Sequence, residues 1–201
     1  MLEELRKRVD QGFVAARRNG RLTIFNYTKF CMFQRAWDDV TMQARGLVLD
    51  EQGRVFARPW AKFFNLNERP HTRLEAPPKE TPELSEKMDG SMIVVFYDDV
   101  ENRWIATTRG GWDNAHATYA NNWLEKNGQV LEPGKTFIFE LVAPSNRVVV
   151  PYAKGEMVLL GVVDTATGKD STYAEVAVEA QRRGLKAVGF QSKPIEEVDL
   201  A

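Results

Sequence analysis

The stretch EKMDGSMIVVFYDD, residues 86–99, decides the fold. A polar pentad, ending in a glycine and a serine, runs straight into a block of apolar, β-branched and aromatic residues, which reads as a loop entering a buried strand. After a short polar turn comes RWIATTRG (103–110), so the two runs predict an antiparallel hairpin. Outward from this hairpin the same texture recurs. LTIFNY (22–27), RGLVLD (45–50), RVFARP (54–59), FIFELV (137–142), RVVVPY (147–152) and MVLLGVVD (157–164) are predicted strands, and Glu51, Gln52 and Gly53 close RGLVLD onto RVFARP as a second hairpin. Leu2, Leu5, Val9 and Phe13 recur at helical spacing, which predicts a helix over 2–18, within an N-terminal segment 1–20, that Asn19 and Gly20 stop. A second helix is predicted over 115–126, with Asn127 and Gly128 as its stop, and Thr172 with Glu175 resembles a capping box opening a third that ends near Gly184. Residues 69–84 carry four of the nine prolines and read as a surface connection. The pattern is that of a single antiparallel-rich α+β domain.

Composition narrows the function. With 43% hydrophobic residues in 201, the chain can fill a core, which argues against a disordered chain. Lys and Arg number 27 against 28 Asp and Glu, a net charge of -1, so any polyanion site must be a local patch. The apolar runs are too short for a bilayer, and the N-terminus is charged where a signal peptide needs an apolar stretch; the sequence reads as cytoplasmic, without a membrane partner. One cysteine, Cys31, excludes an internal disulfide, and with only His71 and His116 beside it a Cys/His zinc centre is excluded as well. GQVLEPGKT (128–136) imitates a phosphate-binding loop, but five residues separate its glycines where that loop has four, and a strand pattern follows instead of a helix. It reads as a plain turn.

Lys87 and Asp89 are two residues apart, and on an extended backbone their side chains share one face and would be pocket neighbours. A free lysine has a pKa of about 10.4, so nucleophilic use demands desolvation, nearby cations or a metal. Asp89 alone works the other way, and by themselves these residues also read as a surface ion pair leading into a hairpin.

The order of motifs along the chain resembles the covalent nucleotidyltransferases, most closely the phage-type ATP-dependent RNA ligases of the tRNA-repair group. KMDGS (87–91) matches their KxDGS nucleophile motif, ARGLVLD (44–50) and ARPWAKFFNLNE (57–68) match the two segments before it, and TRGG (108–111), FELVAPSNRVVVPY (139–152) and MVLLGVVDTATG (157–168) follow in order. The resemblance implies an antiparallel-rich, ATP-grasp-like adenylation domain over 1–201 and an enzyme that joins RNA 5'-phosphate and 3'-hydroxyl ends. It implies Lys87 as the residue that takes AMP from ATP. Arg45, Lys62 and Arg109 would contact phosphates, although the family more often has lysine where this chain has Arg109. Asp89 and Gly90 belong to the nucleotide-binding motif, Gly90 allowing close approach to the nucleotide, and Tyr27 and Phe64 match aromatic positions lining it; Phe64 also fits a core role. Glu140, a charge inside an apolar run, is assigned to the ribose or to Mg2+, against an ion pair with Arg147 or a lysine. Two later family elements, a glutamate-glycine strand and a strand ending in two lysines one residue apart, have no counterpart in 1–201. This implies a domain incomplete at its C-terminal side that needs a further segment or a complementing chain. The alternatives are a non-catalytic nucleotide- or RNA-binding fragment and a capping-type guanylyltransferase, the latter disfavoured by FFNLNE and FELVAPSNR.

Overall fold

Period-two alternation sorts the apolar side chains into stacked layers. The computed structural model describes residues 1–73, 81–146 and 150–198. Its first half runs α1 (Leu2–Asp10), β1 (Val14–Asn19), β2 (Leu22–Tyr27), α2 (Lys29–Gln34), α3 (Asp39–Gln43), β3 (Arg45–Asp50) and β4 (Val55–Ala57). The second half runs β5 (Glu83–Ser85), β6 (Ser91–Asp98), β7 (Arg103–Thr108), α4 (Ala115–Asn127), β8 (Lys135–Val142), β9 (Glu156–Asp164), α5 (Tyr173–Arg183) and β10 (Phe190–Ser192). Strands in the order β1-β2-β3-β4 form one antiparallel sheet and β7-β6-β8-β9 a second, while β5 and β10 pair as a small ribbon.

On β3, Leu47 and Leu49 face α1 and pack with Leu5, whereas Val48 between them points the other way, toward the second sheet. On β6, Val94 and Phe96 meet Val48 and Ile24 in the layer between the sheets, and Ile93 and Val95 face α4 and α5 with Phe137, Phe139 and Val176. The order is helix, sheet, sheet, helices. Both predicted hairpins, β3–β4 and β6–β7, are present, and so is the helix at 115–127. The capping box at the head of α5 closes through Thr172 and Glu175, and Gly184 ends that helix in a left-handed conformation. GQVLEPGKT holds a single 3-10 turn at Gly128–Val130 and then enters β8, as a plain turn does.

Two expectations are corrected. The predicted helix over 2–18 ends at Asp10, and 14–19 is strand β1. Gly12, at φ +79, is the stop: its N–H bonds to the Val9 carbonyl and the Phe13 N–H to the Arg8 carbonyl, a Schellman closure. Asn19 and Gly20 belong instead to the turn that pairs β1 with β2 in the register Asn19 to Leu22. In RVVVPY, 147–149 lie outside the described residues and 150–152 are not in a strand. The connection predicted over 69–84 also lies partly outside them, and its described ends hold a 3-10 turn at Pro70–Thr72 and β5.

Candidate active site

On β8, Phe137, Phe139 and Leu141 face the helices, so alternation turns Glu140 toward the gap between the sheets. Residues 86–90, which join β5 to β6, run beside it. The Gly90 N–H donates to Glu140 Oε1 at 3.0 Å. A Cβ on Gly90 would stand 2.3 Å from the Leu141 carbonyl oxygen, a backbone atom that cannot yield, so only glycine lets this loop close on β8. The same loop is tied further along, where the Asp89 carboxylate accepts from the Val150 N–H at 2.8 Å and the Asp89 N–H donates to Tyr152 Oη at 3.1 Å. Lys87 and Asp89 lie in irregular backbone ahead of β6, so strand alternation does not set their directions, yet the charges of both act on Glu140. Lys87 itself is exposed.

Burial pushes the Glu140 carboxyl up to about 7; the Gly90 hydrogen bond and the charges of Lys87 and Arg45 oppose the rise, and Asp89 adds to it. A carboxyl in that range is only partly ionised at neutral pH.

The first sheet supplies the opposite wall. The Tyr27 N–H is held by the Ala44 carbonyl at 2.6 Å and the Lys62 N–H by the Met42 carbonyl at 2.7 Å, which brings the end of β2 and the segment after β4 onto α3. From the turn after β7, Arg109 Nη1 donates to Tyr27 Oη at 2.9 Å, and its guanidinium lies 5.0 Å from the Tyr27 ring centroid. An aromatic row continues from Tyr27 to Trp37 (5.0 Å), to Phe64 (5.7 Å) and to His71 (5.8 Å). Lys62 and Arg69 lie over Phe64 at 4.2 and 4.7 Å, and Arg45 over Phe63 at 5.0 Å. Phe64 is thus part of the row and of no buried core cluster.

The cations pay for this crowding. Burial lowers the Lys62 amine below the ordinary lysine range, with Glu68 opposing and Arg45, Arg69 and Arg109 adding to the fall; burial likewise lowers Arg45, which Tyr27 and Glu140 partly offset and Arg109 deepens. Three cations crowding one another are poised for an anion with several oxygens.

The fold thus brings Tyr27, Arg45, Lys62 and Phe64 together on the first-sheet side, where Arg109 reaches Tyr27 from the second sheet, and Asp89, Gly90 and Glu140 on the other side, with electrostatic coupling from Arg45 to Glu140 to Lys87. Trp37, Phe63, Arg69 and Tyr152 were not singled out by sequence reasoning. They lie outside the regular strands, where no periodicity flags them. Arg147, one ion-pair partner considered for Glu140, lies outside the described residues. Among the described residues no group of three or more His, Cys, Asp or Glu side chains could hold a metal, and no helix is long and apolar enough to cross a membrane.

Comparison with known proteins shows what the chain as a whole is similar to. A family model described as RNA ligase matches residues 43–199. A protein of Thermovibrio ammonificans named "Putative RNA ligase" is 35% identical over 171 residues, covering 78% of this chain and 44% of that protein. An RNA ligase of Rhodothermus phage RM378 is 29% identical over 210 residues, covering 80% of this chain and 44% of its own. The matched part of the chain thus covers less than half the length of these curated relatives. Among solved structures, an archaeal ATP-dependent RNA ligase superposes with a TM-score of 0.65 at 16% identity over 97% of this chain and 51% of that one, which shows that the two share a fold.

Proposed function

This chain belongs to the RNA ligase family, and on that premise we propose that its pocket supports ATP-dependent joining of RNA 5'-phosphate and 3'-hydroxyl ends through a lysyl-AMP intermediate. The observation that carries the reading is the meeting of Arg45, Lys62 and Arg109 on one side with the Lys87 loop and Glu140 on the other.

In the first step the neutral Lys87 amine attacks the α-phosphorus of ATP; an N–P bond forms, the bond to the β-phosphate oxygen breaks, pyrophosphate leaves, and the nitrogen releases a proton to solvent. In the second, an RNA 5'-phosphate oxygen attacks the same phosphorus, the N–P bond breaks, and the lysine regains its proton. In the third, an RNA 3'-hydroxyl attacks the activated 5'-phosphate, a phosphodiester forms as the bridging P–O bond to AMP breaks, AMP departs with the electron pair, and the hydroxyl proton passes to solvent. Arg45, Lys62 and Arg109 hold phosphate oxygens as charge develops on them. Tyr27 and Phe64 line the nucleotide, and Gly90 lets the loop backbone approach it. Glu140, with Asp89 beside it, suits Mg2+ carried on the nucleotide, since such an ion takes one or two carboxylates and keeps several waters. Bound there, magnesium would neutralise phosphate charge. RNA contact is confined to this basic patch, in keeping with the net charge of -1. ATP and RNA are met in the cytoplasm, where we place the reaction.

The test is incubation of the full natural protein with α-labelled ATP and Mg2+, then denaturing electrophoresis. Label that survives alkali, is lost in acid and disappears in Lys87→Ala is expected. Absence of Lys87-dependent label removes the enzymatic reading and leaves a nucleotide-binding protein; label from GTP in preference to ATP would turn the reading to guanylyl transfer.

A further inference from the structure

Residues 86–90 have no regular structure, so the sheet ladder does not fix where the Lys87 amine stands. Side chains from neighbouring elements hold this connector at both ends. Upstream, Ser85 Oγ donates to Tyr173 Oη at 2.8 Å, and the Tyr173 ring stacks on Phe190, 6.0 Å between centroids, on the strand residue that pairs with Ser85. Downstream, Tyr152 Oη accepts the Asp89 N–H, two residues beyond the lysine. The rings of both tyrosines, with Met88 of the connector, pack on the cluster of Val142, Val158 and Val188. Each phenolic oxygen therefore reaches the connector from a ring already fixed by packing, and the amine-bearing residue lies between the two.

We infer that Tyr152 is a positioning residue for nucleotidyl transfer, acting through the Asp89 backbone on the reach of Lys87, with Tyr173 as its counterpart on the upstream side. The inference rests on the reading of Lys87 as the nucleophile. In-line attack requires the nitrogen about 3–3.5 Å from phosphorus and aligned with the departing oxygen, and a displacement near 1 Å costs roughly a hundredfold in rate. The Asp89 carboxylate on the Val150 N–H and the Glu86 N–H on the Gly189 carbonyl also hold the connector, and the two tyrosine hydroxyls add the side-chain contacts at its flanks that restrict that displacement. The Gly90 to Glu140 bond alone does not, because Glu140 must also answer to the charges of Lys87, Arg45 and Asp89.

Tyr152→Phe keeps the ring in its cluster and deletes one acceptor. The expected result is a single-turnover rate of Lys87 labelling by α-labelled ATP that falls about tenfold, with half-saturating ATP changed less than about twofold, the thermal midpoint held within a few degrees, and amide exchange at Asp89 accelerated. Tyr173→Phe, a second variant that leaves the downstream contact intact, is expected to slow the same step by a smaller factor. A labelled wild type whose Tyr152→Phe variant reacts at the unchanged rate overturns the inference alone. Rate, ATP saturation and thermal midpoint falling together also overturn it, since that is what general loosening produces. A wild type without Lys87-dependent label overturns the reading beneath it as well.

Discussion

At the scale of single residues, Glu140 and Gly90 carry the sharpest expectations. The Glu140 carboxyl is raised from 4.5 to about 7, chiefly by burial. The folded chain then holds that proton more tightly than the unfolded chain, so the stability this group lends is full below about pH 4.5 and is lost as pH rises through 7. The whole shift corresponds to about 3 kcal/mol, which solvent screening of a half-buried group reduces to about 1–2 kcal/mol. Glu140→Gln should flatten the pH dependence of urea stability between pH 5 and 8 and leave the variant the more stable protein at pH 8; a slope as steep as that of the wild type would contradict the assignment. Gly90→Ala sets a methyl against the Leu141 backbone and should cost about 1–3 kcal/mol in the same titration while lowering Lys87 labelling. Much of the site was legible at this scale, because a carboxylate in FIFELV and a lysine ahead of MIVVFYD each stand out against apolar neighbours. Trp37, Arg69 and Tyr152 were not, since an isolated aromatic or arginine in a loop carries no pattern until the fold gives it a partner.

At the scale of elements, legibility followed the strength of the local signal. Strands β3, β6, β8 and β9 alternate between two buried faces and were read within a residue or two, and α5 announced both its ends through Thr172, Glu175 and Gly184. The N-terminal helix was overextended because Phe13 continues its apolar spacing past Gly12, and spacing outweighed the glycine that in fact stops it. Gly12→Ala should therefore cost about 1 kcal/mol, since alanine must adopt φ +79, whereas Gly134→Ala tests a solvent-facing turn of like geometry. Equal melting points for wild type and Gly12→Ala would show that the closure is not what ends α1. Thr172→Ala, which opens the capping box of α5, should likewise lower stability by about 1 kcal/mol. The β5–β10 ribbon was illegible: three residues on each side, all exposed but the half-buried Leu84 and 105 positions apart between Ser85 and Phe190, give neither a run of alternation nor a turn.

At the scale of the whole molecule, the two sheets must stay in register for one wall of the site to face the other. Besides the apolar layer between them, Arg21 in the β1–β2 turn pairs with Asp98 at the end of β6, whose side chain is 1% exposed. Removing the arginine strands a buried carboxylate, so Arg21→Ala should cost about 3–5 kcal/mol by chemical denaturation, with both sheets melting in one transition. A loss below about 1 kcal/mol would mean that the apolar layer alone sets the sheet register. On the proposed reading, the stacking of helix, sheet, sheet and helices serves to set the Lys87 connector on one side against Arg45, Lys62 and Arg109 on the other. Peptide mapping by mass spectrometry after incubation with ATP and Mg2+ tests that claim most directly. The account predicts one adenylated peptide, the one containing Lys87; an unmodified Lys87 with AMP on any other residue, or on none, would contradict it.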